Sequence, residues 1–379
     1  MTRAVLLSFL AALCLTSTAA AQRARDIGVP FDGTPGMLNA ITDVPGVLVG
    51  HRTVIAGEGD AAARTGVTAV IPVADRRPVF AAVKRHNGDG ELTGSHFIQE
   101  KGYFFGPVLM TNTVSVGTVH EAVIRWSQTD AGGGYGCCLP VVGETWDGDL
   151  NDIFGFHVQH EHVFDALNRA SSGPVAEGNV GGGTGMMAHA FKGGIGTSSR
   201  VLSEEAGGFV VGALVQANYG RRSEFRVAGV PVGREISDLL PEISEPLGDS
   251  EYEDGSIIVV IGTDAPLLPG QLERVTERVA MGLARTGSFS STYSGDIFLA
   301  FSTQPVTGTE EATRPVQTLV DGLIDDVFLA TVQVTEEAVI NALVAAETMT
   351  GYEGHTVHAL PHDRLRSILE RYGRLREQG

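Results

Sequence analysis

The run Ser256-Ile257-Ile258-Val259-Val260-Ile261 is apolar at consecutive positions and rich in β-branched residues, the pattern of a central strand. Phe209-Val210-Val211-Gly212-Ala213-Leu214-Val215-Gln216-Ala217-Asn218 reads as a second buried strand, short, apolar and closed by polar and glycine residues. Asp296-Ile297-Phe298-Leu299-Ala300-Phe301 predicts a third, and the stretches Gly46 to His51 and Thr65 to Pro72 are β-rich runs separated by turns. Elsewhere the period becomes helical. Helices are predicted over Thr118 to Trp126 and over about His160 to Ala170. Leu268, Leu272, Val275, Val279 and Leu283 share one helical face, and Gly287 stands where a C-terminal cap belongs. Thr335-Glu336-Glu337 predicts the start of a last helix reaching about Thr348, with Thr335 as cap and the acids facing the helix dipole. Strands and helices interleave without the regular beat of a doubly wound sheet, so a layered α/β sandwich is expected.

Two segments depart from this pattern. Residues 1–21 open with Arg3, continue through an apolar run from Ala4 to Leu15 and end in Ala19-Ala20-Ala21, which reads as a cleavable export signal. Bulky Leu13 before Cys14 argues against a lipoprotein, so the expected location is periplasmic or secreted. No later stretch reads as the roughly 20 apolar residues of a transmembrane helix. The second segment, Pro241 to Gly255, carries Glu242, Glu245, Asp249, Glu251, Glu253 and Asp254 with few sizeable apolar residues, and predicts a solvated, mobile loop.

Composition narrows the functional classes. The formal net charge is −18 and no basic stripe occurs, which argues against nucleic acid or an anionic membrane as partner. After the signal only Cys137 and Cys138 remain, too few for a disulfide framework, and they read as small core residues. The length allows one large domain or two ordinary ones.

The candidate chemistry starts at Asp254-Gly255-Ser256. Alone, the tripeptide reads as a turn before a strand. Its context suits chain self-cleavage: a serine opening a buried strand, preceded by a glycine that allows backbone distortion and by an acidic loop. Cleavage before Ser256 would give this residue a free α-amine, which titrates near ~7.7–8.0 and can act as general base beside its own hydroxyl. Nucleophile and base then belong to one residue, the arrangement of N-terminal threonine hydrolases.

At this point the chain resembles the DmpA–BapA type of aminopeptidases, the L-aminopeptidase D-amidase/D-esterases and β-peptidyl aminopeptidases. The likeness covers nearly the whole mature chain. It is carried by the run from Leu38 to Val47, by Leu92-Thr93-Gly94-Ser95-His96, by Thr111-Asn112-Thr113 with Ser115-Val116-Gly117, and by Gly143-Glu144-Thr145. It continues through the glycine-rich run 178–186, Val215 to Gly220, Asp254-Gly255-Ser256-Ile257 and Ser294-Gly295-Asp296. The resemblance implies an α-β-β-α sandwich of N-terminal-nucleophile type, one catalytic domain over 22–379 cut between Gly255 and Ser256 into chains 22–255 and 256–379. It implies Ser256 as nucleophile, Asn218 as the amide that holds the oxyanion with backbone N–H groups, and Ser294 and Asp296 as hydrogen-bond partners of the nucleophile and its amine. Some members carry Glu at the position of Asp296. Glu144 is similar to the acid that receives the substrate's ammonium group, and Trp146 stands beside it in the expected substrate pocket. Short peptides, amides or esters are the implied substrates, with assembly of the cleaved heterodimers into tetramers and no cofactor.

Each residue also has a plainer reading. Asn218 suits a turn cap, Ser294-Gly295 an ordinary loop, and Glu144 a solvated acidic stretch continued by Trp146-Asp147-Gly148-Asp149. Their joint occurrence with Ser256 shifts the balance. The run Gly181 to Gly185 lacks the Gly-Lys-Ser/Thr of a P-loop and the preceding strand of a dinucleotide site, and reads as a wall beside the substrate or a close-packed turn. His157, His160 and His162 form no H-E-x-x-H motif, and His355, His358 and His362 straddle Pro361, so bound metal is not expected. Two other activities fit the same residues: an acyltransferase of the ornithine-acetyltransferase type, and a binding protein that kept the scaffold.

Overall fold

A computed structural model of the chain describes residues 22–75, 77–129, 139–244, 255–306, 313 and 315–376. The predicted signal, Cys137 and Cys138, and the part of the acidic segment from 245 to 254 lie outside the described residues. Along the chain come β1 (Leu48–Ala56), β2 (Ala63–Ile71), β3 (Val79–Arg85), α1 (Ser95–Lys101), β4 (Tyr103–Phe104), β5 (Val108–Asn112), α2 (Val116–Ser127), β6 (Val141–Thr145) and α3 (His160–Asn168). There follow β7 (Met187–Ala188), β8 (Phe191–Lys192), β9 (Gly194–Val201), β10 (Val210–Asn218), α4 (Val232–Glu235), β11 (Ser256–Thr263), α5 (Pro269–Arg285), β12 (Ile297–Pro305), α6 (Ile324–Val344) and α7 (His362–Arg371).

The strands form a four-stranded sheet, β1-β2-β5-β6, and a six-stranded sheet, β4-β3-β12-β11-β10-β9. Side-chain alternation explains the layers. On β11, Ile257, Val259 and Ile261 pack outward with Leu272, Val275, Val279 and Leu283 of α5 and with Val334, Ala338 and Leu343 of α6. Ile258 and Val260 point the other way, into a layer shared with Val70, Val83, Met110, Leu214 and Leu299 between the two sheets. The smaller sheet presents Val67, Ala69, Leu109 and Val142 to Val119, Val123 and Trp126 of α2 and to Val163, Ala166 and Leu167 of α3. The result is helices, sheet, sheet, helices. Each fully buried Ile or Val side chain is worth roughly 1.5–3 kcal/mol relative to exposure, so a strand apolar on both faces has no stable place except the centre.

Where pattern and capping agree, the predicted elements are found: β10, β11 and α5 sit on their predicted runs, and Gly287 closes α5 with φ at 104°. The last helix differs. α6 begins at Ile324, and Thr335 is interior, its hydroxyl donating back to the Thr331 carbonyl at 2.8 Å rather than capping an end. Glu337 is likewise mid-helix and answers Arg25 and Arg200, not a dipole. Buried polar residues such as Thr331 and Gln333 among the apolar ones before Thr335 hide the helical period, because α6 is buried nearly all round. Asp321–Val344 is in fact long and apolar enough to cross a membrane, against the expectation from sequence, but 89% of its apolar window is buried inside this fold, as befits a core helix.

Candidate active site

Asn218 ends β10 and Ser256 begins β11, and the antiparallel register sets the two directly opposite each other. Both share the parity of the residues that face the other sheet, so their side chains turn into the layer between sheets at the end where its apolar filling stops. The cavity there, about 810 Å³, is lined by Ser256, Gly255, Asn218, Met187, Glu144, Trp146, Thr113, Val116, Asp149, Tyr293 and the stretch Asp89-Gly90-Glu91. Strands from both sheets therefore supply the site. Just inside it, Gln216 bridges them by donating from Nε2 to the Thr111 carbonyl at 2.9 Å and to Thr145 Oγ1 at 2.8 Å.

Ser256 is 7% exposed, and its Oγ accepts the Gly295 N–H at 3.2 Å. The same N–H reaches the carbonyl oxygen of Gly255 at 3.2 Å, so one donor touches both the serine oxygen and the carbonyl that precedes the serine. Neither glycine is replaceable without movement. A methyl group at Gly295 would stand 2.7 Å from Ser256 Oγ and overlap the Asp89 carbonyl, and one at Gly255 would overlap the Asn218 carbonyl. Asn218 is fixed by the Met187 N–H, which donates to Oδ1 at 2.8 Å. Since a backbone N–H can only donate, the atom facing it must be the amide oxygen, and Asn218 offers the cavity its two N–H groups.

Ser294 pairs through its backbone with Gly255, and its hydroxyl donates to Asp296 Oδ1 at 2.5 Å. With that proton spent, Ser294 Oγ is an acceptor toward any further partner. Burial raises the Asp296 pKa above the usual carboxylate value, opposed by the hydrogen bond from Ser294. Glu144, at the end of β6, is 4% exposed. Its Oε1 accepts the Glu91 N–H at 2.9 Å and its Oε2 the Thr113 hydroxyl. Burial raises its pKa; those two hydrogen bonds oppose the shift, and the charges of Glu91 and Asp89 add to it. Trp146 lies half-exposed on the cavity wall, edge-on to Phe154 at 6.4 Å between centroids.

All six singled-out side chains thus converge on one cavity or its back wall. The acids after Trp146 are not all solvated, because Asp147 is 1% exposed and burial lifts its pKa to about 7. Sequence reasoning gave no part to Gly295, Met187, Thr113 or Asp89-Gly90-Glu91. Gly295 had a signal, standing between two residues already singled out, whereas the others depend on chain crossings that no local pattern encodes. The run Gly181 to Gly183 is a buried turn packed against Thr68, Gln216 and Gly194, not a cavity wall. His157 pairs with Asp152 and His160 with Glu121, and among the described residues no group of three or more His, Cys, Asp or Glu is placed to hold a metal ion.

Two sheets sandwiched between helices, with a serine opening the central strand of one of them, define a hydrolase of the N-terminal-nucleophile fold class. The chain belongs to peptidase family S58, whose model matches residues 39–357. It is 48% identical over 389 aligned positions to the beta-peptidyl aminopeptidase BapA of Sphingosinicella microcystinivorans, covering 97% of each chain. With the beta-peptidyl aminopeptidase BapA of Sphingosinicella xenopeptidilytica the identity is 45%, over 97% of this chain and 95% of that one. Among solved structures it resembles the L-aminopeptidase D-Ala-esterase/amidase of Ochrobactrum anthropi, a prototype of the serine aminopeptidases and a variant of the N-terminal-nucleophile hydrolase fold. There the TM-score is 0.85 at 46% identity, covering 93% of this chain and 99% of that one. Family and relatives make the chain a serine aminopeptidase.

Proposed function

We propose that the chain cuts itself between Gly255 and Ser256 and then removes N-terminal residues from short peptides, amides or esters through Ser256. The observation that carries this reading is the shared Gly295 N–H, which polarises the Gly255 carbonyl while it steadies the Ser256 oxygen at the same distance. In the first step Ser256 Oγ adds to the Gly255 carbonyl carbon, the Gly255–Ser256 C–N bond breaks, and the hydroxyl proton passes to the departing nitrogen. The resulting ester is hydrolysed by water, leaving a carboxylate on Gly255 and an α-amine on Ser256.

In turnover the α-amine takes the hydroxyl proton as Ser256 Oγ attacks the substrate carbonyl and returns it to the leaving amine or alcohol, and water then hydrolyses the acyl ester on Ser256 to release the acid and restore the hydroxyl. Asn218 donates to the oxyanion, a contribution of ~3–4 kcal/mol for a fixed donor in a dry site. Ser294 and Asp296 hold the amine and hydroxyl in place. Glu144 receives the substrate's ammonium, which restricts cleavage to the first residue, and Trp146 packs against the acyl side chain. An N-terminal β-amino acyl group is the proposed preference, supported by the two BapA relatives. Export of residues 22–379 and assembly of the cleaved heterodimers into a tetramer complete the reading.

The test compares a β-amino acyl p-nitroanilide, its α-amino counterpart and the N-acetylated form of each. Release from the free amines, faster for the β-compound, with none from the acetylated pair, is the expected result. Equal rates for acetylated and free substrates remove the ammonium-receptor role. Asn218→Ala is expected to lower kcat by roughly 10²–10³ with KM within a few fold, and equal losses in both deny it the oxyanion role.

A further inference from the structure

Between the glycine-rich turn and β9 the chain makes a tight hairpin, β7 to β8, whose turn residues His189 and Ala190 both lie in the left-handed region, with φ at 48° and 56°. Neither is glycine, so the turn carries a backbone cost of order 1–3 kcal/mol per residue unless its surroundings hold it. Two buried cations hold it. Lys192 is fully buried, and its ammonium donates to the carbonyls of Met186 at 2.7 Å, Gly193 at 2.9 Å and Gly183 at 3.3 Å, gripping the open end of the hairpin. Arg222 takes the closed end: Nε donates to the His189 carbonyl at 2.8 Å and Nη2 to that of Ala190, while the guanidinium lies 3.3 Å over the Phe191 ring. Its Nη1 is anchored on the carbonyls of Ile236 and Leu239, both at 2.7 Å.

Burying an ammonium on carbonyl oxygens alone is expensive. Burial pushes the Lys192 pKa down to about 7, partly offset by the charge of Asp147. What the hairpin delivers in return is one hydrogen bond, Met187 N–H to Asn218 Oδ1. The hairpin is also seated on the end of β10. The His189 N–H donates to the Tyr219 carbonyl at 2.7 Å, and side chains at Gly193 or Gly220 would overlap the Ala217 carbonyl or the His189 ring.

We infer that the 187–192 hairpin is the orienting device for the Asn218 amide, with Lys192 and Arg222 as positioning residues that keep the Asn218 N–H groups turned toward the reacting carbonyl. This rests on the oxyanion role proposed for Asn218.

The test is a double-mutant cycle on the purified enzyme with an amino acyl p-nitroanilide, rates being expressed per cleaved chain. Lys192→Met is expected to lower kcat about tenfold with KM within twofold, because the substrate's ammonium contact is untouched. In the Asn218→Ala background the same substitution is expected to lower kcat by no more than about twofold, since there is no amide left to misdirect. A tenfold loss in both backgrounds, or none in either, overturns the inference while leaving the oxyanion role of Asn218 intact; that role falls if Asn218→Ala itself spares kcat. Arg222→Lys, which keeps a cation but gives up the paired grip on the turn carbonyls, is run through the same cycle and decides the question if Lys192→Met does not fold.

Discussion

Two glutamates are buried in this molecule to nearly the same depth, Glu144 at 4% exposure and Glu337 at 0%, and their neighbours differ in kind. Glu337, in the middle of α6, receives Nε and Nη2 of Arg25, each at 2.7 Å, Nη2 of Arg200 at 2.7 Å and Nδ2 of Asn39 at 2.6 Å. Burial works against its ionisation, but the hydrogen bond from Arg25 and the charges of Arg200 and Arg25 outweigh it, and its pKa is held below the ordinary value. Glu144 has two neutral donors, Thr113 and the Glu91 N–H, and two nearby carboxylates, and its pKa is raised. A buried carboxylate whose charge is cancelled by the protein works as a staple; here it joins residues before the proposed cleavage point to a helix after it. One left with neutral partners on the wall of a cavity suits the part proposed for Glu144, a receptor for a cation that the substrate brings.

That contrast can be broken from either side. The largest effect is expected at the staple: Glu337→Gln leaves two arginines facing a neutral amide, a loss of about 3–5 kcal/mol. The melting temperature should fall by about 5 °C, while kcat measured well below the melt stays within about twofold. An unchanged melting temperature would show that the ion cluster is not what joins the halves. At the receptor the pattern reverses: Glu144→Gln should lower kcat/KM for free-amine substrates by roughly 10²-fold, the cost of losing one partner of a desolvated charge pair. Intact kcat/KM in that variant would refute the receptor role.

pH sharpens the difference further. Only ionised Glu144 attracts an ammonium, so kcat/KM should be lost as pH falls through its raised pKa, on a limb lying above the ~4.3 of a free glutamate. That limb should be absent from the Glu144→Gln profile, and its persistence there would assign it to another group. The smallest effect is on stability. A raised folded-state pKa contributes stability that is full below the unfolded pKa and lost as pH rises through the folded one, whereas the depressed pKa of Glu337 contributes stability lost as pH falls. Near neutrality, then, Glu144→Gln should match or exceed the wild-type melting temperature by a degree or two, and a marked drop would class Glu144 with Glu337.

Much of the scaffold was legible because burial on two faces leaves an unmistakable mark. The apolar run of β10 and the Ile-Val run of β11 read as buried strands, and adjacency of their ends makes Asn218 and Ser256 neighbours once the register is known. Glu144 and Asp296 were reachable only through the family pattern, because nothing local distinguishes a receptor acid from a solvated one. Thr335 misled for the converse reason: threonine followed by two acids imitates a cap, and only the packing of α6 on β9 and β10 reveals a helix already eleven residues old. Lys192 and Arg222 carry no signal as single letters, since their partners are carbonyls dispersed along the chain.

The most direct test of the account is intact-mass analysis of fully active protein, beside Ser256→Ala. Two chains meeting at Gly255 and Ser256, with Ser256 as a free N-terminus, are predicted for the active enzyme, and one inactive chain for the variant. A fully active polypeptide still continuous from Gly255 to Ser256 would contradict it.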